Sequence, residues 1–182
     1  ERVLYNGLIS GVSLDGDLFF YQNPLASFGE DERSTWFTCA CCPSNISRFM
    51  PSVPGYVLAS DKNNVYVNLF TSCEAQVKLK DQTVQIQQKT RYPWEGDVMV
   101  TVLPEKEQKF SVRVRIPGWA RNKPVPSDLY RFHKKSDEPV LLKLNGEEIP
   151  LNLDKGYAVI ERKWKENDQI EVLFPMPVRR VL

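Results

Sequence analysis

From Asn64 onward, apolar and polar residues alternate. Val65-Tyr66-Val67-Asn68-Leu69-Phe70, Ala75 to Leu79, Val84 to Gln87, Val98 to Leu103 and Phe110 to Ile116 all carry a period of two. That period marks strands with one face turned to a core. Val140 to Leu144, Ile149 to Leu153, Tyr157 to Glu161 and Ile170 to Phe174 continue it, for roughly nine or ten strands in two packed layers. Pro104, Pro117-Gly118 and Asn145-Gly146 break the runs where an antiparallel sandwich needs turns, and Asn145-Gly146 is a strong hairpin signal. The stretch from Arg121 to Glu138, rich in Pro, Lys and Ser, reads as a long loop.

The segment before Asn64 has a different pattern. Apolar residues from Val3 to Val12 fall at helical spacing, and Gly11 and Asp15-Gly16 supply stop and turn signals. Leu18 to Tyr21 reads as a brief extended piece, followed by a polar loop through Gly29-Glu30-Asp31-Glu32-Arg33. Pro43 suits the first turn of a helix in which Ile46, Phe49 and Met50 form one apolar stripe. Pro51 and Pro54 make that helix short or kinked, running out near Tyr56 to Ala59. The change of period predicts two regions, 1–62 and 63–182, with the boundary near Asp61 to Asn64.

Composition adds a few exclusions. With 24 Lys plus Arg against 23 Asp plus Glu, no broad attraction to nucleic acid or to an anionic membrane surface is expected. No apolar run approaches the roughly 20 residues of a membrane span. The opening Glu1-Arg2-Val3-Leu4 has no signal-peptide pattern and no initiator Met, which reads as a fragment of a longer protein.

The chemistry is concentrated in Cys39-Ala40-Cys41-Cys42, with Cys73 alone further on. This is a poor disulfide framework, whereas clustered thiols suit metal ligation or thiolate chemistry. Unpaired thiols also tilt the compartment toward the cytoplasm. Buried structural thiols are the plain alternative. A helix N-terminus at Cys41 and Cys42 favours thiolate over thiol, and zinc would favour it further. The lone His133 lies in the long loop, and one histidine with no G-x-S-x-G elbow argues against a serine triad. Glu30, Asp31 and Glu32 read as a solvated loop face. Of Trp36, Trp94, Trp119 and Trp164, Trp36 is the best placed to stack on a sugar because it lies three residues from the first thiol.

Trp36-Phe37-Thr38-Cys39-Ala40-Cys41-Cys42-Pro43-Ser44-Asn45-Ile46-Ser47-Arg48 resembles the C-C-P-x-N-x-x-R signature of glycoside hydrolase family 127, the beta-L-arabinofuranosidases. The likeness extends to Leu4-Tyr5-Asn6, to Phe20-Tyr21-Gln22-Asn23-Pro24-Leu25, to Arg115-Ile116-Pro117-Gly118-Trp119-Ala120 and to Met176-Pro177-Val178-Arg179-Arg180. The resemblance implies a mainly β chain: an antiparallel, jelly-roll-like β-sandwich preceded by a few helices from the end of an (α/α)6 catalytic barrel. It implies a retaining hydrolase acting on arabinofuranoside-containing, plant-derived glycans. Cys41 would be nucleophile and zinc ligand, Cys42 a second zinc ligand, and Tyr21 and Glu1 substrate-binding residues. The remaining zinc ligands and the acid/base would lie upstream, so the chain alone is expected to be inactive. Cys39 receives no role from the resemblance, and Cys73 reads as a structural thiol. A non-catalytic carbohydrate-binding or structural sandwich, and a purely structural zinc site, are the competing readings.

Overall fold

The computed structural model describes residues 3–22, 24 and 26–182. The chain divides into two compact units, Glu1–Gly55 and Tyr56–Leu182.

In the first unit the helical spacing at the start is realised as a π-helical segment, Val3–Leu8, and a 3-10 turn, Ile9–Gly11. The extended piece is pinned at Phe19, which bridges to Val12 on one side and Ser34 on the other. The Phe19–Ser34 pair exchanges both backbone hydrogen bonds, at 2.9 and 2.8 Å. Helix α1, Cys41–Phe49, begins at the second cysteine and carries Pro43 in its first turn, buried. A proline there costs nothing, because the first amides of a helix have no partner inside it. Pro51 then ends the helix in a 3-10 turn, Met50–Ser52, and Pro54 opens α2, Pro54–Val57. The expected stripe does not form a core in this chain: Phe49 and Met50 are exposed and Ile46 half-buried.

The second unit is the sandwich, with β1 Leu58–Ser60, β2 Asn64–Val67, β3 Cys73–Lys78, β4 Thr83–Thr90, β5 Asp97–Pro104, β6 Gln108–Arg115, β7 Leu141–Leu144, β8 Glu147–Glu148, β9 Leu153–Asp154, β10 Tyr157–Trp164 and β11 Asp168–Leu173. One sheet has the order β1-β2-β6-β10-β9 and the other β3-β4-β5-β11-β7-β8. Because β1 pairs with β2, the sandwich begins a few residues earlier than the expected boundary at Asp61 to Asn64. Pairing is antiparallel except between β2 and β6, which run parallel with Val65 opposite Val112. The period-two pattern does not encode this exception, since strand direction leaves alternation unchanged.

The alternating apolar residues meet between the sheets. Val84, Ile86, Val100, Val102 and Ile170 from one layer, and Val65, Val67, Val112, Val114 and Ala158 from the other, belong to one cluster with no exposed surface. Trp164 closes one region of it, its Nε1 donating to the Phe110 carbonyl at 2.9 Å. Phe70, Tyr92, Trp119 and Phe174 form an aromatic group elsewhere in the unit, with Tyr92 and Trp119 stacked at 6.5 Å and Phe70 and Phe174 at 5.1 Å. Trp164 is therefore a core residue and Trp119 packs half-buried against the core, while Trp94 is exposed. The Asn145-Gly146 turn has both residues at positive φ, 53° and 84°, the combination a two-residue hairpin of this twist requires. Asn145 also ties β7 to β11, its Nδ2 donating to Asp168 at 2.8 Å and its Oδ1 accepting from the Gln169 amide at 2.8 Å. No helix among the described residues is long and apolar enough to cross a membrane.

Candidate active site

The cysteine cluster is built by a tight turn that runs straight into a helix. Ala40 sits at φ −82°, ψ 58°, and the Cys41 amide donates to the Cys39 carbonyl at 3.0 Å. These are the angles and the hydrogen bond of an inverse γ-turn. The chain reverses at Ala40, and α1 starts at the next residue. Ser44 secures the junction by donating from its hydroxyl to the Ala40 carbonyl at 2.7 Å. Cys39 and Cys41 are exposed and Cys42 is half-buried.

The Sγ atoms of Cys41 and Cys42 lie 3.9 Å apart. Two sulfurs each about 2.3 Å from a tetrahedral zinc would be separated by about 3.8 Å, so the pair has the spacing of one edge of such a site. The chain supplies only part of a ligand set: among the described residues no group of three or more His, Cys, Asp or Glu is placed to hold a metal. His133 is held in the other unit by a backbone bond from its amide to the Arg180 carbonyl, 2.9 Å, and Glu30 uses its carboxylate to accept from the Phe28 amide at 2.7 Å.

Tyr21 reaches this cluster. Its ring packs on Phe37, centroids 5.2 Å apart, and its backbone carbonyl lies 3.8 Å from the Cys42 sulfur. The neighbouring Cys41 thiol, and to a lesser degree Cys39, hold the Tyr21 phenol above its ordinary value. Two residues twenty apart in sequence thus converge because the extended piece at Phe19 runs alongside the segment that leads to the cysteines. Glu1 lies outside the described residues.

One expectation is reversed. The helix N-terminus was expected to lower the thiol pKa, yet Cys42 is held above its ordinary value, first by desolvation and then by the hydrogen bond and charge of Cys41, with Cys39 adding to it. Partial burial disfavours the charged thiolate, and the neighbouring thiols add to that effect. Cys73, in β3, is raised by burial alone, as befits a structural thiol.

Two features were not visible in advance. The signature spacing N-x-x-R places Asn45 and Arg48 on one helical face, where Arg48 donates to the Asn45 Oδ1 at 2.7 Å. Next to the cysteines an open, mainly apolar groove of about 620 Å³ is lined by Phe19, Thr35, Trp36, Pro43, Ser44, Ser47 and Arg48. Trp36 is exposed there, and its position in the sequence three residues before Cys39 was the only clue to it.

Comparison with known proteins bears on both units. Residues 64–176 match the family model described as the beta-L-arabinofuranosidase, GH127 middle domain. This chain belongs to glycoside hydrolase family 127. Residues 1–55 match the catalytic-domain model of the same family, so the cysteine-bearing unit is the catalytic-domain portion and the sandwich the middle domain. Over 137 residues the chain is 35% identical to a non-reducing end beta-L-arabinofuranosidase of Bifidobacterium longum, covering 66% of this chain and 20% of that protein. A solved family 127 beta-arabinofuranosidase superposes with a TM-score of 0.94 at 47% identity, over 99% of this chain and 28% of the other. A solved family 127 beta-L-arabinofuranosidase from Geobacillus stearothermophilus T6 gives a TM-score of 0.82 at 35% identity, over 97% and 27%. The chain thus spans between a fifth and under a third of the length of these relatives.

Proposed function

We propose that the chain is the nucleophile-bearing part of a retaining beta-L-arabinofuranosidase acting on plant-derived, arabinofuranoside-containing glycans, with Cys41 as the nucleophile. The observation that carries this reading is the placement of Cys41 at the start of α1, with the Cys42 sulfur 3.9 Å from its own and the Tyr21 backbone carbonyl 3.8 Å from the Cys42 sulfur. The match of residues 1–55 to a catalytic domain weighs against a purely non-catalytic sandwich.

In the reaction, the Cys41 thiolate attacks the anomeric carbon as the glycosidic C–O bond breaks, and a carboxylic acid from outside this chain gives its proton to the departing oxygen. Water then displaces the sulfur at the same carbon and releases the sugar with its original anomeric configuration. Cys41 and Cys42 would hold a zinc ion, with the remaining ligands from outside this chain, and the ion would supply a positive charge that keeps the nucleophile ionised at neutral pH. The turn at Ala40 and the first turn of α1 fix where Cys41 points. Tyr21, braced by Phe37, contacts the sugar.

The test uses the full-length protein that carries this chain, assayed on an aryl beta-L-arabinofuranoside under reducing conditions. Cys41→Ser is expected to lower kcat by at least about 10³-fold with the fold retained by circular dichroism, and an arabinofuranose-based inactivator is expected to label the Ser34 to Arg48 tryptic peptide at Cys41. Normal turnover by the variant, or labelling at another residue, overturns the assignment.

A further inference from the structure

The turn that aims Cys41 also folds Cys39 back toward it, and nothing in the proposed reaction uses Cys39. Two virtual bonds of about 3.8 Å closed by an inverse γ-turn leave the outer Cα atoms about 5.6 Å apart. That lies inside the range of about 4.4 to 6.8 Å that a disulfide spans. The hydrogen bond from the Cys41 amide to the Cys39 carbonyl, 3.0 Å, holds the turn closed. Both thiols are exposed, whereas Cys42 is half-buried. Cys41 and Cys42 are closer through their sulfurs, but adjacent residues can be bridged only by straining the peptide between them.

We propose that Cys39 is a resolving thiol that pairs with Cys41 in a reversible disulfide when a peroxide reaches the cluster. The Cys41 thiolate attacks one oxygen of hydrogen peroxide, the O–O bond breaks, and the sulfur becomes a sulfenic acid while hydroxide leaves and takes a proton to form water. Cys39 sulfur then attacks the Cys41 sulfur, the S–OH bond breaks, and a second water departs. Two thiols are oxidised by two electrons and one peroxide is reduced to two waters. A dithiol reductant reverses the step by thiol exchange. The bridge protects Cys41 from the irreversible sulfinic and sulfonic acids. Disulfide formation itself does not depend on the proposed catalytic role of Cys41, but its effect on turnover does.

The experiment treats the chelator-dialysed full-length protein with a small excess of hydrogen peroxide, blocks remaining thiols with N-ethylmaleimide, and digests it with trypsin. Arg33 and Arg48 bound a peptide, Ser34 to Arg48, that holds all three clustered cysteines. The expected peptide carries one maleimide, on Cys42, has lost two hydrogens relative to the dithiol form, and regains two labelling sites after dithiothreitol. In Cys39→Ser, basal turnover of the undialysed enzyme is expected within about twofold of wild type, while peroxide drives Cys41 to the sulfinic acid and the loss is not recovered by reductant. A maleimide on Cys39 after oxidation, or reversible oxidation of equal extent in Cys39→Ser, overturns the proposal. If the disulfide forms and turnover of the re-metallated protein is unaffected, the resolving role of Cys39 stands and the nucleophile assignment fails, so the two readings are separable.

Discussion

Replacing Trp164 with Phe tests how the sandwich core is held together. Trp164 has no exposed surface, packs against Phe110 with centroids 5.8 Å apart and donates its indole N–H to the Phe110 carbonyl at 2.9 Å. Phenylalanine keeps a ring but leaves a void of about 40 Å³, worth about 1 kcal/mol at about 24 cal/mol per Å³. It also strips a buried carbonyl of its donor, which costs about 1–3 kcal/mol. The sum is about 2–4 kcal/mol, or a fall in Tm of about 6–16 °C for a domain of this size. Urea and thermal unfolding of the 182-residue chain, followed by far-ultraviolet circular dichroism, measure it directly. A loss below about 0.5 kcal/mol with an unchanged m value would refute the reasoning, because it would mean that neither the indole bond nor the filled volume supports the fold.

Two further perturbations bear on the sandwich. Asn145→Ala should cost about 2 kcal/mol, because it removes the bonds to Asp168 and Gln169 and puts a Cβ-bearing residue without a polar side chain at φ 53°. Asn145→Gly should cost less, since it loses only the bonds, and equal losses in urea would count against the backbone part of the account. Asp61 is held below its ordinary value by the amide of Asn63, the Asn64 side chain and the Tyr66 hydroxyl. A carboxylate lowered in this way adds stability that is present above its unfolded pKa and is lost as pH falls through its folded pKa. Unfolding midpoints should therefore drop below about pH 4 and drop less in Asp61→Asn, and parallel acid profiles for the two proteins would contradict this.

How much was legible beforehand differed by region and for physical reasons. Strands announce themselves through alternation, so β4, β5, β6, β10 and β11 fall where the pattern puts them, and Asn145-Gly146 turns where its chemistry demands. The direction of β2 against β6 has no local signature, because both orientations bury the same side chains. In the cysteine region, Pro43 marked the helix start correctly, but the inverse γ-turn at Ala40 is carried by a residue with no turn preference. The ionisation of Cys42 departs from expectation because partial burial of its sulfur, a tertiary effect, acts together with the two neighbouring thiols. The approach of Tyr21 to Cys42 rests on the pairing of Phe19 with Ser34, a tertiary contact that periodicity cannot supply.

The parallel junction of β2 with β6 also governs the order in which this half of the molecule can assemble. Strands β3, β4 and β5 are joined by short connections and can zip up locally, whereas Asn64 must find Ser111, forty-seven positions away. Closing a loop of that length costs about 3.4 kcal/mol in chain entropy before any contact repays it. The β1–β2 hairpin, which holds to the rest of its sheet along β6 alone, is thus a late arrival in folding. Its four residue pairs with β6 are all that join it to that sheet, and it stands in the chain directly after the unit that carries the cysteines.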